Sequence, residues 1–93
     1  MGNNLDSELK LNHVAEKIGL SSGYLRKLVK KNLRMNYQYL LNKLRIEKAK
    51  QMLCESSDNI GEISFKVGFK NQQHFTRIFR QFTELSPKEF RNK

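Results

Sequence analysis

The sequence has one cysteine, Cys54, and no tryptophan. A single cysteine cannot form an internal disulfide, which fits a reducing cytoplasm, and we expect its thiol to be packed or half exposed. No apolar run reaches the roughly 18 residues of a membrane-spanning helix, and no secretory leader is recognisable. These absences predict a cytoplasmic protein with no membrane partner.

Residue groupings that support catalysis or metal binding are also lacking. The two histidines, His13 and His74, lie far apart in the sequence, and neither has a partner at a spacing typical of metal ligands. No Ser/His/acid or Cys/His grouping suggests a nucleophile, and there is no glycine-rich phosphate loop. The sequence therefore predicts that the protein is not an enzyme and that it has no cofactor or metal site.

Acidic residues are scarce relative to basic ones. The 93 residues include 18 Lys and Arg against 9 Asp and Glu, a net charge of +9. The excess is largest between residues 11 and 54. A soluble basic surface would explain this balance, but a polyanionic partner, usually nucleic acid, would explain it equally well.

Helical periodicity recurs from Leu11 onward, and no segment shows sustained strand alternation, so we predict an all-α fold. Polar, weakly patterned residues open the chain and are predicted to be flexible or a truncated first helix. The predicted organisation is a start segment over 1–10, a first helix-turn-helix over 11–35, a linker helix over 36–54, and a second helix-turn-helix with a terminal helix over 55–93.

Capping side chains precede the predicted helices. Asn59 and Glu62 have the spacing of a capping box, as do Ser86 and Glu89 on either side of Pro87. Each of these signals predicts the first residue of a helix. Other candidate caps are Ser21 or Ser22, Asn36 and Asn71.

Residues 15–40 and 64–90 resemble each other. Each copy reads as a helix, a glycine-containing turn and a second helix with a basic outer face, which is the sequence form of a helix-turn-helix. The glycine lets the chain leave the first helix through a left-handed conformation. Two ordinary helical hairpins are the alternative, but the repeated core and charged faces favour the helix-turn-helix. The corresponding positions are Gly19 and Gly68, Leu25 and Phe75, Leu28 and Ile78, Val29 and Phe79, Met35 and Leu85, and Leu40 and Phe90.

The outer face of the second helix in the second copy is suited to reading DNA bases. If Phe75 faces inward, 100° per residue places polar and basic side chains on the far side, and no acid occurs between residues 71 and 83. Gln pairs with adenine and Arg with guanine through bidentate hydrogen bonds in the major groove. The outward residues are Gln73, Thr76, Arg77 and Arg80, flanked by Gln72 and His74.

The corresponding face in the first copy is more basic and carries fewer base-reading groups. With Leu25 inward, the outward positions are Gly23, Arg26, Lys27 and Lys30. Gly23 has no side chain with which to read a base. We therefore expect Arg26 and Lys27 to read sequence, Lys30 and Lys31 to contact phosphate, and this unit to discriminate bases less sharply than the second.

Three stretches resemble the DNA-binding domain of the AraC/XylS family of bacterial regulators: LRIEKAKQML (44–53), IGEISFKVGF (60–69) and HFTRIFRQFTELSPKEFR (74–91). The resemblance extends over residues 11–92. It implies seven helices, with two helix-turn-helix units joined by a long linker helix. The recognition helices would be 22–32 and 72–82, entering the major groove of double-stranded DNA.

Residue roles follow from the same resemblance. Base contacts would fall on Gly23, Arg26, Lys27, Gln72, Gln73, His74, Thr76 and Arg77. Phosphate contacts would fall on Lys30, Lys31 and Arg80.

The chain departs from the family pattern after each recognition helix. Arg34 and Glu84 stand where the family usually has glycine, so we expect these helix ends to be less sharply turned. Only residues 1–10 are available for the helix that normally precedes the first unit. We therefore expect a longer protein with a sensor, dimerisation or receiver domain, as in response regulators that use this output domain.

Other kinds of partner can be weighed against the same residues. An RNA-binding domain would be expected to expose aromatic rings for stacking, whereas the phenylalanines are predicted to face inward. Membrane binding would need a free apolar face, and these faces are predicted to lie in the core. Contact with RNA polymerase is compatible with DNA binding and stays open.

Overall fold

The computed structural model describes the backbone of residues 3–31 and 34–93, and the side chains of these residues except 3–9 and 22. This part of the chain contains α-helices and no strand, which confirms the predicted all-α fold. It holds six α-helices, whereas the resemblance implied seven. They are α1 (Asn3–Ile18), α2 (Ser22–Lys31), α3 (Tyr37–Glu55), α4 (Ile60–Lys66), α5 (Gln72–Thr83) and α6 (Pro87–Arg91).

Helix α1 begins at Asn3, well before Leu11, where the apolar periodicity starts. Its first turns contain no glycine or proline and include Leu, Glu and Lys, which have high helix propensity. The residues before Leu11 therefore form helix without the apolar periodicity that predicted the later part of α1. Residues 1 and 2 of the predicted start segment, and Asn32 at the predicted end of α2, lie outside the described residues.

Predicted caps fix the starts of the later helices. The Asn59 side chain accepts a hydrogen bond from the Glu62 N–H at 2.8 Å, and the Glu62 carboxylate accepts one from the Asn59 N–H at 3.0 Å. Ser86 and Glu89 form the same reciprocal pair around the start of α6. The Ser86 backbone N–H, donating to the carboxylate, lowers the pKa of Glu89 below its ordinary value of 4.5. The other caps are Ser21, Asn36 and Asn71, which accept from the N–H groups of Tyr24, Tyr39 and His74.

The chain divides into two compact units, Met1–Leu44 and Arg45–Lys93, with the boundary inside α3. Each unit is a helix-turn-helix, in which α1 packs against α2 or α4 packs against α5. Each end of α3 therefore contributes to a different core. The first core contains Leu11, Ala15, Leu25, Leu28, Leu40, Leu41 and Leu44. The second contains Ile46, Ala49, Leu53, Ile63, Val67, Phe69, Phe75, Ile78 and Phe79.

Glycine supplies the turn of each unit, as predicted. Gly19 has a φ of 89° and Gly68 a φ of 105°, both in the region that side chains rarely adopt. At Gly68 the space is restricted as well, because an added Cβ would lie 3.0 Å from Arg45 Nε. The guanidinium of Arg45, a residue of α3, also lies 5.5 Å from the centre of the Phe69 ring, which follows Gly68. This contact holds the glycine-containing segment against α3.

The end of α5 is sharply turned, contrary to the expectation drawn from the missing glycine. Glu84 is left-handed, with φ 68° and ψ 6°, and its N–H donates to the Arg80 carbonyl at 2.8 Å. The next segment contributes to this turn, since Leu85 N–H donates to Thr83 Oγ1 at 3.1 Å and Ser86 then caps α6. These bonds and the packing of α6 against α5 together hold a glutamate in a conformation that favours glycine.

Replacing Glu84 with glycine is expected to stabilise the domain. Glu84→Gly relieves the left-handed strain and removes a negative charge from a helix C-terminus, but adds chain entropy to the unfolded state, for a net gain of about 1 kcal/mol. Urea denaturation measures the change. Glu84→Gln, which removes only the charge, is the matched control and should gain no more than a few tenths of a kcal/mol. If both variants gained the same unfolding free energy, the gain would come from the lost charge and not from relief of backbone strain.

Candidate nucleic-acid interface

Helix α5 buries one face and presents the other to solvent. Phe75, Ile78 and Phe79 are buried in the second core, which fixes the rotation of the helix. The side chains assigned to DNA from the sequence therefore lie outside the core. Gln72, Gln73, Arg77 and Arg80 are exposed, and His74 and Thr76 are half buried.

His74 is held in place more firmly than a surface side chain. Its backbone N–H donates to the Asn71 side chain at 2.7 Å. Its ring packs edge-on against Phe69, with the ring centres 5.5 Å apart and the planes at 85°. Phe69 is buried and also packs against Phe75 at 5.4 Å. Sequence reasoning missed this role of Phe69, because the contact joins the turn to the following helix.

Two shallow, open depressions flank the outer face of α5. Gln73 and Arg77 line both of them, and we call this shared pair the ridge of α5. These two residues are four apart, so they lie one above the other on the helix. The first depression is also lined by Lys70, Asn71 and His74, and the second by Gln72, Thr76 and Arg80.

Lys70 was not singled out from the sequence. It is exposed in the turn before α5 and lines the first depression. The helical wheel that placed the other candidates does not extend to a non-helical residue. A usable signal was present, namely a basic residue immediately before the predicted cap Asn71.

Helix α2 has the same division into a buried and an exposed face. Leu25 and Leu28 are buried in the first core. The basic residues of α2 point away from this core, as the helical periodicity predicts. Gly23 is also exposed, but it adds no side chain to the outer face. The exposed basic residues are Arg26, Lys27, Lys30 and Lys31.

The electrostatic character of both helices is uniformly positive. Neither α2 nor α5 contains an acidic residue. Ion pairs lie elsewhere, between Lys50 and Glu47 at 3.2 Å and between Lys66 and Asp58 at 2.8 Å. The Asp58 carboxylate, as a hydrogen-bond acceptor and a nearby charge, raises the pKa of Lys66 above its ordinary value. Concentrated positive charge of this kind attracts a polyanion.

The expectation that the phenylalanines face inward is wrong for Phe65, which is 65% exposed. Helix α4 has only seven residues and buries Ile63 and Ser64, and its C-terminal cap Val67 is buried as well. Phe65 lies on the opposite side of this short helix and lines neither depression beside α5. Met35, matched to Leu85 in the repeat, is likewise 47% exposed, so that pair does not share a core position.

Within the described parts of the chain, no helix is both long and apolar enough to cross a membrane. The same residues contain no group of three or more His, Cys, Asp or Glu side chains placed to hold a metal ion. Cys54 is exposed, beyond the packed or half-exposed position expected for it.

A family model described as a helix-turn-helix domain matches residues 14–93. A transcriptional regulator structure from Chromobacterium violaceum, described as AraC-type DNA-binding domain-containing, is 30% identical, with a TM-score of 0.62 over 88% of this chain and 73% of that one. The chain belongs to the AraC-type family of helix-turn-helix DNA-binding domains. This agrees with the resemblance seen in the sequence.

Other relatives of this AraC-type domain are regulators or domains of regulators. The C-terminal domain of AraT, a response regulator from Geobacillus stearothermophilus, is 35% identical with a TM-score of 0.64, over 92% of this chain and 71% of that one. An uncharacterized transcriptional regulator of Staphylococcus aureus is 34% identical over 84 residues, which are 90% of this chain and 11% of the regulator. The chain thus spans about one ninth of the length of that curated relative. These relatives are described as regulators and not as enzymes.

Proposed function

We propose that this AraC-type domain recognises one asymmetric site on double-stranded DNA by placing α2 and α5 in successive major grooves. The observation that carries the proposal is the pair of acid-free outer faces, each fixed by a buried apolar face of the same helix. The major groove is wide enough to admit an α-helix. Successive grooves on one side of B-form DNA lie roughly 34–36 Å apart. If the two helices are held closer together, bending the DNA would cost on the order of 1–6 kcal/mol.

The roles on α5 follow from the ridge and its flanks. Gln73 and Arg77 form the ridge and would reach furthest into the groove, where Gln pairs with adenine and Arg with guanine. The neighbouring Gln72, His74 and Thr76 would contact bases nearer the groove walls. Arg80, one turn beyond Arg77, would contact phosphate.

The roles on α2 give this helix a larger electrostatic share. Arg26 and Lys27 are proposed to contact bases, and Lys30 and Lys31 phosphates. Because Gly23 leaves the first turn without a base-reading side chain, fewer base pairs would be read. We expect α2 to contribute affinity more than sequence discrimination.

For the whole protein, we propose that this domain is the DNA-binding output of a cytoplasmic transcription regulator. The similar domain of AraT belongs to a response regulator, and the S. aureus relative is far longer than this chain. Both comparisons support a separate sensor, dimerisation or receiver domain in the intact protein. Contact between the DNA-bound domain and RNA polymerase is proposed as the further partnership.

Selection of bound sequences from random duplexes tests this function directly. The expected result is one non-palindromic site with two half-sites about 10–10.5 base pairs apart, centre to centre. The half-site assigned to α5 should be the more restricted in sequence. Repeating the selection with Arg26→Ala/Lys27→Ala identifies the half-site read by α2. In this double variant, that half-site should lose its sequence preference. Recovery of no sequence preference, or of a single half-site, would contradict the two-helix arrangement.

A further inference from the structure

We propose that Lys70, in the turn before α5, binds a DNA backbone phosphate and forms one arm of a clamp whose other arm is Arg80. This inference rests on the proposed placement of α5 in the major groove. It adds a contact that neither the sequence pattern nor the helical wheel assigns.

The geometry around the ridge is the basis of the proposal. Gln73 and Arg77 line both depressions, so α5 has a central ridge and two flanks. Lys70 lines only the first flank and Arg80 only the second. A helix inserted in the major groove has a phosphate backbone on each side. A cation on each flank therefore faces one of the two strands.

The charge distribution supports a bound anion beside Lys70. No acidic side chain lines either depression. Lys70 and Arg77 are both exposed and line the same depression, so an anion placed there is attracted by two positive charges. A backbone phosphate of the duplex lying against this flank would be such an anion. His74, whose ring packs edge-on against Phe69, lines the same depression.

The side-chain type suits phosphate better than a base edge. An ammonium group is a compact point charge on a flexible stem, which binds phosphate oxygens without requiring a fixed planar geometry. Lys70 also precedes the first turn of α5 and lies off the Gln73 and Arg77 ridge. It is therefore placed to add affinity for every duplex rather than preference for one sequence.

Measuring DNA affinity against salt concentration for wild type and Lys70→Ala tests the contact. Loss of one phosphate contact should lower the slope of log K against log salt by about 0.9 and weaken binding at 100 mM salt about five- to tenfold. Selected and random duplexes should lose affinity equally. Lys70→Gln, which keeps a polar side chain but removes the charge, should behave like Lys70→Ala, whereas Lys70→Arg should retain the wild-type slope.

Lys66→Ala is the matched control, because Lys66 is also an exposed lysine, four residues earlier, but is paired with Asp58 and lines neither depression. Its slope should equal that of wild type. Arg80→Ala is the positive control and should lower the slope as Lys70→Ala does.

The outcomes separate this proposal from the proposed function. If wild type binds duplex DNA and Arg80→Ala lowers the slope while Lys70→Ala does not, the Lys70 contact is overturned and the DNA-binding function stands. Relaxed preference at one base pair in Lys70→Ala would also overturn it, since the residue would then read a base. If wild type itself fails to bind duplex DNA with a salt-dependent affinity, the proposed function fails.

Discussion

Raising the salt concentration from 50 to 200 mM is expected to weaken duplex binding by this domain about 1,000- to 16,000-fold. This range assumes about 6–8 phosphate contacts, for which the slope of log K against log salt is roughly −5 to −7. The estimate follows from the positive outer faces of α2 and α5, which contain no acidic residue. Each cation that neutralises a phosphate releases condensed counterions, and added salt opposes that release. Fluorescence anisotropy with a labelled duplex measures the slope directly.

A double variant calibrates that slope. Lys30→Ala/Lys31→Ala removes two exposed cations at the end of α2, so the slope should become less steep by about 1.8. Specific and random duplexes should be affected equally, because phosphates carry no sequence information. A wild-type slope near zero would remove the electrostatic basis of the proposed function.

Arg77→Ala is expected to reduce affinity for the selected site by about 1–3 kcal/mol and to relax preference at one base pair. Arg77 lies on the ridge of α5, exposed and shared by both depressions, so its guanidinium would reach the groove floor. A bidentate pair with guanine provides discrimination of that size. Competition binding against duplexes that vary one base pair at a time gives both the affinity and the preference.

Arg80→Ala provides the control within the same helix. Arg80 is also exposed, but lines only one flank, where a phosphate contact is proposed. Its loss should weaken all duplexes alike and leave the ranking of sequences unchanged. If Arg77→Ala weakened every sequence uniformly, Arg77 would be a phosphate contact and the assignment to a base would be wrong.

Local signals explain why so much of the fold could be predicted. Asn59 with Glu62 and Ser86 with Glu89 form the predicted capping boxes, since the bonds join residues only three apart. Gly19 and Gly68 take the positive φ angles that the turns require. For the interface, the periodicity of Phe75, Ile78 and Phe79 predicted which side of α5 is exposed, although the contacts made by that side stay a prediction.

Features that depend on distant packing were not predictable in the same way. The wheel could not place Lys70, because it lies in a turn rather than a helix. The inward position expected for Phe65 was wrong because the short α4 had already buried its other face. The unit boundary inside α3 was likewise hidden, since an uninterrupted helix carries no signal of which core each turn joins.

The amino-acid sequence by itself determined the helical class, the duplicated helix-turn-helix, the caps and the basic outer faces, because each depends on neighbours within a few turns. The tertiary structure alone decided that Glu84 is left-handed, that Phe69 orients His74, and that Lys70 and Arg80 lie on opposite flanks of one ridge. These features arise where separate elements pack together, and the energy of that packing overrides or supplements what any short stretch of residues prefers.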